Sequence, residues 1–366
     1  HCIKSFTEAK LKKDTINEIF KITMDILSSV QNTNSDQEMP VQVEAALALS
    51  SIASEHQEKA TSFMKKNIGQ ILSNILYLST KTKNDDLQDV FKTFLEDFEE
   101  EVEPHASKLA DDITNQFIAL AGSISEEDEN YDNACLTAVG MLTTLENLMD
   151  IVEENETLVK SMEECVVKVI AWILSNKKLD YYEEAFSLLS SITTTHISPQ
   201  IWSGINMLSQ IIQSTGEAGG VEYFVDVMPA LHNYITVDSR TFFSNQEYLQ
   251  DVFSLAKYVL DSPDSGEEAE CHALKLLEVL AFQGSHISGI CKTSVELAYN
   301  RGYNCPEREI QTAEMRTMVN TVLCACLFAD QTPDSLQFLD SCGWLNNGLN
   351  QWIEDFENIQ GIHDRR

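Results

Sequence analysis

The residues of this chain that could do chemistry begin with Asp85-Asp86-Leu87-Gln88-Asp89. On a helix, such a DDxxD pattern puts hard oxygen ligands on one face, where they can hold Mg2+ against a diphosphate. That chemistry needs a second acidic motif on a facing helix. The nearest counterpart, Asp111-Asp112, runs on into Ile113-Thr114-Asn115 without the required partners. Asp85 also stands where a helix is expected to start, and acids in a first turn are favoured by the helix dipole. Capping is therefore the expectation. Cys324-x-Cys326 and Cys271-His272 have no C-x2-C pair beside them. Helical spacing puts Cys324 and Cys326 on different faces, which suits neither zinc nor a disulfide. His56, His105, His196 and His232 are isolated, and no HExxH, Walker loop, GxGxxG or GxSxG occurs. The sequence predicts no catalytic residue, no metal site and no cofactor.

What remains is charge. Twenty-five basic residues stand against 58 acidic ones, a formal net of −33. Phosphate backbones and anionic membranes are repelled by such a field, whereas basic proteins are attracted and steered. Direct nucleic-acid binding is thus not expected. The acids cluster in four places. Glu96, Asp97, Glu99, Glu100, Glu101 and Glu103 span a junction between helices, and Glu126, Glu127, Asp128 and Glu129 fall in a loop. Glu153 and Glu154, with Glu156, sit at another helical corner, while Glu267, Glu268 and Glu270 open a later helix. Any one cluster is explained by a solvated rim. A balanced mixture of charges would solvate equally well, so taken together the clusters predict a surface for Lys/Arg-rich partners.

The elements that position these residues are helices. Val41, Ala45, Ala48, Leu49 and Ile52 form one apolar stripe, and Ile68, Ile71, Leu72, Ile75 and Leu76 the next. Leu109, Ile113, Phe117 and Leu120, then Val166, Val169, Ile170, Ile173 and Leu174, repeat the pattern. So do Ile201, Ile205, Leu208 and Ile212, and Met315, Met318, Val319, Val322 and Leu323. Spacings of three and four mark amphipathic helices. The best strand candidate, Asn233 to Val237, is short and follows a helical run. Pro40, Pro104, Pro199 and Pro263 fall at or just before helix starts. Asn84 with Asp85 and Asp86, Ser198, Ser244 and Asp264 are candidate N-caps or first-turn acids. Gly122, Gly216 to Gly220 and Gly284 follow expected helix ends.

Helical hairpins are expected to open near residues 41, 85, 131, 179, 222, 265 and 308, at intervals close to the HEAT or armadillo period of ~40–47 residues. The prediction is an all-α HEAT-repeat superhelical solenoid over residues 1–366, one continuous array with a partial repeat at 5–30 before it. A lone hairpin cannot bury both faces, so neighbours must stack. No stretch approaches the ~20 uninterrupted apolar residues that span a bilayer, so no membrane insertion is expected. No signal-peptide pattern opens the chain, and its start at His1 in place of Met is what a piece of a longer protein would show. Its nine cysteines are scattered through apolar stretches and form no paired framework, as buried thiols in a reducing compartment would.

Several strings in the chain are not demanded by helical packing. Met39-Pro40-Val41-Gln42-Val43-Glu44-Ala45-Ala46-Leu47-Ala48-Leu49 resembles the MPVxVEAAxAL helix of the importin-seven/importin-eight group within the importin-beta superfamily. Glu183 to Leu188 is similar to its YEExFSL stretch, and Ser198-Pro199-Gln200-Ile201-Trp202 to its SPQMW. Tyr223-Phe224 through Met228-Pro229 to Asp238 resembles YFxDMMPLLHNYVTVD. Ala269 to Val279, Glu314-Met315-Arg316-Thr317-Met318 and Gly361 to Arg366 also match, in order. Residues 281–305 and 331–350 match poorly. The resemblance implies a carrier of basic cargo such as ribosomal proteins and histones, working at times with importin-beta and shuttling between cytoplasm and nucleus. It implies weak contacts with FG nucleoporins and cargo release by Ran-GTP, the latter bound mainly by an N-terminal arch outside this chain. The competing expectation is a static HEAT scaffold in a multiprotein complex, which shares fold and period. An isoprenoid-type enzyme stands or falls on Asp85 and Asp86.

Overall fold

The computed structural model describes residues 13–29, 39–84, 86–125, 127, 130–214, 220–346, 348 and 350. Among them there is no strand, and the helices gather into two compact units spanning His1–Ile192 and Thr193–Arg366. The protein is all-α and of the HEAT-repeat type.

In the first unit the helices are α1 (Lys13–Ser28), α2 (Met39–Glu55), α3 (Gln57–Thr82), α4 (Asp86–Asp97) and the short α5 (Glu99–Val102). They are followed by α6 (Ala106–Ser123), α7 (Tyr131–Val152), α8 (Glu156–Ser175) and α9 (Tyr182–Ile192). One row stacks α2 on α4, α4 on α7 and α7 on α9, while a second stacks α1 on α3, α3 on α6 and α6 on α8. Each hairpin thus gives one helix to each row and shares both apolar faces with its neighbours. Phe117 of α6 shows how the layers lock. It is fully buried, edge-on to Trp172 of α8 at 5.9 Å and to Tyr181 at 5.3 Å. Burial of such a side chain stabilises by about 1.5–3 kcal/mol.

The second unit comprises α10 (Pro199–Trp202), α11 (Ile205–Ile212), α12 (Phe224–Thr236), α13 (Ser239–Ser244) and α14 (Gln246–Asp261). After them come α15 (Glu267–Gln283), α16 (Ile290–Tyr303), α17 (Ala313–Ala329) and α18 (Asp334–Ser341). Here α12, α15 and α17 stack in one row, and α11, α14, α16 and α18 in the other.

The local chemistry explains where helices begin. Lys83 takes a left-handed conformation and its N–H returns to the Ser79 carbonyl, closing α3. The Asn84 side chain then accepts from the Asp86 N–H at 2.9 Å and opens α4. Ser198 caps α10 through the Ile201 N–H, with Pro199 in the first turn. Two caps differ from expectation. Asn245, not Ser244, caps α14 by accepting from Glu247 N–H, because the amide oxygen reaches the open helix end one residue later. At α15 the flanking residue is Gly266, with Asp264 in the turn before it. Gly122 lies inside α6, one residue before its end, whereas Gly284 closes α15. The stripe Ile201–Ile212 is not one helix: it breaks at Ser203-Gly204, where the Gly204 N–H bonds to the Ile201 carbonyl. Asn233–Thr236 is the last turn of α12, not a strand. The partial repeat expected at 5–30 is described from Lys13 on, as α1.

One helix bears on the membrane expectation, though Asp132, Glu146 and Asp150 interrupt its apolar residues. α7 is 22 residues long and by length and composition apolar enough to cross a bilayer. It packs against α4, α6, α8 and α9, and its Glu146 accepts hydrogen bonds from Ser187 Oγ at 2.5 Å and Ser191 Oγ at 3.2 Å. Its apolarity is accounted for by helices on several sides.

Candidate functional site

The first two clusters that can be placed meet in space. Glu99 and Glu103, from the turn between α4 and α6, face Asp150, Glu153, Glu154 and Glu156 from the corner between α7 and α8. With Ile151 and Asn155 they line a groove of about 630 Å³ with six carboxylates and no basic residue in its lining, although Lys160, one turn further along α8, pairs with Glu156 at 3.9 Å. Asn155 ties the two corners together: its amide donates to Glu103 Oε1 at 2.9 Å, while its carbonyl oxygen caps α8 at the Leu158 N–H. Glu99, Glu153, Glu154 and Glu156 are exposed and Glu103 is half-buried. The Asp150 carboxyl is raised above its ordinary aspartate value, first by loss of water against the helix corner, then by the charges of Glu146 and Glu153. A carboxylate whose proton affinity is raised by neighbouring charges is relieved when a cation docks beside it.

The remaining acids of the first cluster lie around this groove rather than in it. Glu96 pairs with Lys92 at 3.7 Å on the surface, and Asp97 accepts from Ser54 Oγ at 2.6 Å. Glu100 is exposed and Glu101 half-buried. Of the loop cluster, Glu127 is exposed, while Glu126, Asp128 and Glu129 lie outside the described residues. Asp85 also lies outside them, and Asp86 and Asp89 occupy the first turn of α4.

The fourth cluster corrects an expectation. Glu270 is buried, only 1% exposed, and cannot touch a partner in this fold. Its carboxylate bridges two guanidiniums, Arg301 at 2.7 Å and Arg308. Arg301 in turn donates to the Arg308 carbonyl, and Arg308 to the Leu260 carbonyl and Ser265 Oγ. Glu267 is also engaged internally. It accepts from the backbone N–H groups of Gln311 at 2.6 Å and Thr312 at 2.9 Å. Burial opposes the ionised form of Glu267, but those donors outweigh it and hold the carboxyl below the ordinary glutamate value. Glu268 alone of the three is exposed.

Sequence inspection missed Asp150 and Asn155 as members of the groove. A signal was present for the first. Asp150 lies in the last turn of α7, which has no basic residue there, and helix C-termini disfavour negative charge. An acid tolerated at such a position calls for a reason other than helix stability.

The non-periodic strings turn out to be packing partners. Tyr234 donates its hydroxyl to the Ile201 carbonyl at 2.8 Å, and its ring lies 4.9 Å from that of Trp202. Trp202 Nε1 donates to Asp238 at 3.3 Å, and Cys271 Sγ contacts Met315 Sδ at 3.7 Å. Strings distant in sequence are thus locked together in pairs, and these same strings carry the family likeness.

Comparison with known proteins agrees. No family model matches the chain. Importin-8 of Homo sapiens is 34% identical over 341 residues, covering 90% of this chain and 32% of its own length. Importin-8 of Danio rerio is 32% identical over 348 residues, 92% of this chain and 33% of its own. The probable importin-7 homolog of Dictyostelium discoideum is 22% identical over 337 residues, 91% of this chain and 31% of its own. The chain therefore spans about one third of the length of the curated relatives it matches. Over this stretch of stacked helical hairpins, the chain belongs to the importin-seven/importin-eight group of the importin-beta superfamily.

Proposed function

We propose that this chain is the cargo-engaging part of a nuclear import receptor, and that the groove between Glu99–Glu103 and Asp150–Glu156 is where it grips basic proteins. The observation that carries the proposal is the convergence of six carboxylates whose one ion pair among the described residues is the exposed one of Glu156 with Lys160. A Lys/Arg-rich segment entering such a groove gains Coulomb energy and offsets the charge that Glu146 and Glu153 place on Asp150. The cargo class is basic protein, of which histones and ribosomal proteins are examples. Glu127 and Glu268, both exposed, extend the field that steers such a cargo without contacting it in the groove. In the whole receptor, cargo release by Ran-GTP, passage by way of FG nucleoporins, and cooperation with importin-beta complete the cycle between cytoplasm and nucleus.

The test is binding of the purified chain to a histone at about 50 and about 200 mM salt, where screening changes strongly. Binding that weakens with salt and with the combined change Glu99→Gln, Glu103→Gln, Glu153→Gln and Glu154→Gln is the expected result. A histone affinity untouched by those four substitutions would remove the groove from the account.

A further inference from the structure

With so large an excess of acids, an exposed lysine should find a carboxylate close by, and on most helices it does. Lys92 pairs with Glu96, Lys160 with Glu156, Lys257 with Asp261 and Lys275 with Glu278. Lys21, Lys108, Lys168 and Lys292 each have an acid three or four residues away on their own helix, the spacing that brings side chains together. Helix α3 departs from this rule. It is 26 residues long and holds Lys59, Lys65, Lys66 and Lys81 against one acid, Glu58. Lys65 and Lys66 are exposed, have no acid three or four residues away in either direction, and make no ion pair among the described residues. Lys66, Gln70, Ser73, Tyr77 and Lys81 follow at helical spacing along one side, opposite the buried Met64, Ile68, Ile71 and Ile75. Lys81 lies over the Tyr77 ring, 5.6 Å from its centroid, and Asp85 beyond the helix end is outside the described residues. On the neighbouring α6, Asp112 accepts from Ser73 Oγ at 3.5 Å and makes no ion pair with these lysines among the described residues.

Lys65 and Lys66, two adjacent exposed cations without an ion pair among the described residues, in a chain otherwise rich in acids, present a local charge opposite to that of the rest of the molecule. We propose that this side of α3 docks an acidic segment of a partner protein, by contacts separate from those of the carboxylate groove. From Lys66 to Lys81 the helix rises about 22 Å, a distance that roughly seven extended residues cover. A short carboxylate-bearing peptide can stay on that stripe. A nucleic acid, with its continuous line of phosphates, runs on into the surrounding negative field and is disfavoured.

The experiment uses the whole chain and a fluorescein-labelled peptide of about twelve Glu, Asp and Gly residues, with a Gly/Ser peptide as control, read by anisotropy. The expected result is saturable binding of the acidic peptide that weakens with salt. Lys65→Glu with Lys66→Glu should weaken it about tenfold or more, and Lys65→Gln with Lys66→Gln by less. Helical circular dichroism checks that both variants keep the fold, and the Gln pair serves if the Glu pair does not. Acidic-peptide binding no stronger than the control, or unchanged in the variants, overturns the proposal. So does an oligonucleotide that binds through these lysines when the peptide does not. Histone binding should be unchanged or stronger in the same variants, so failure here and failure of the cargo groove are told apart by the sign of the probe.

Discussion

Two acidic corners of this protein read alike in sequence and differ in structure. In the first unit, Glu99, Glu103, Asp150, Glu153, Glu154 and Glu156 face one another around an open groove whose one ion pair among the described residues, Glu156 with Lys160, is exposed. In the second, Glu270 is enclosed by Arg301 and Arg308, and Glu267 holds two backbone N–H groups. What separates them is the supply of positive charge from neighbouring elements. Where arginines arrive, the acid becomes part of the core; where none arrive, it remains available to a partner. The position on the helix points the same way. Glu267, Glu268 and Glu270 lie in a first turn, where the helix dipole welcomes them, whereas Asp150 and Glu153 lie at the end of α7, where it does not.

The largest effect that can break the comparison is expected at Glu270. Glu270→Gln leaves two guanidiniums with no buried counter-charge, and breaking a buried pair in this way costs about 3–5 kcal/mol. Urea unfolding monitored in the second unit, for instance through a probe on α16, should show the loss. A cost under about 1 kcal/mol would mean that Glu270 is not held as a core residue and that the two corners are not different in kind. Removing the groove acids should do the reverse. The four Gln substitutions at Glu99, Glu103, Glu153 and Glu154 are expected to leave stability equal or slightly higher while weakening histone binding about tenfold, or ~1.4 kcal/mol. Equilibrium binding and thermal melts on the same preparations check both halves.

Glu267 sharpens the contrast at an intermediate scale. Glu267→Ala removes the acceptor for Gln311 and Thr312 N–H, each such bond being worth about 1 kcal/mol. Because the folded-state pKa of Glu267 lies below its ordinary value, its contribution is present above that ordinary value and is lost as pH falls through the lowered one. The difference between wild type and Glu267→Ala in urea midpoint should therefore shrink on acidification. A difference that stays constant down to acid pH would show that the carboxylate's charge is not what matters.

The fold was legible because each hairpin repeats the same physical problem. Stripes such as Leu109, Ile113 and Phe117, or Val166, Val169 and Ile173, are fully buried where their spacing says a helix must be covered. Local punctuation was legible to within a residue, as Asn245 for Ser244 shows, since either side chain offers an acceptor near the free N–H groups. The split of the Ile201–Ile212 stripe was not, because period alone ignores the ease with which Ser203-Gly204 changes direction. The candidate site was legible only as a composition. Nothing in the run Glu267–Glu270 says that Arg301 and Arg308 will reach it from a different helix and the connection after it. Likewise, nothing in Glu99–Glu103 says that the α7–α8 corner will stand opposite. Pairing of charges is a property of stacked neighbours, and one chain segment read alone carries no record of it.

Asp150 gives the smallest effect and the cleanest sign. Its folded-state pKa is raised, through lost water and then the charges of Glu146 and Glu153, so ionised Asp150 opposes folding at neutral pH. Asp150→Asn should stabilise the first unit there by about 0.5 kcal/mol, the scale of surface changes. As pH falls through the raised value, wild-type Asp150 takes up a proton and the advantage of the variant disappears below the ordinary aspartate value. This is the opposite pH trend to that of Glu267→Ala, which destabilises most where Asp150→Asn stabilises most. A titration of both variants by urea midpoint from neutral to acid pH therefore compares the open corner with the closed one in a single experiment. If both variants move in the same direction at neutral pH, ionised Asp150 carries no penalty at the open corner, and the relief that a basic partner is proposed to bring to it does not exist.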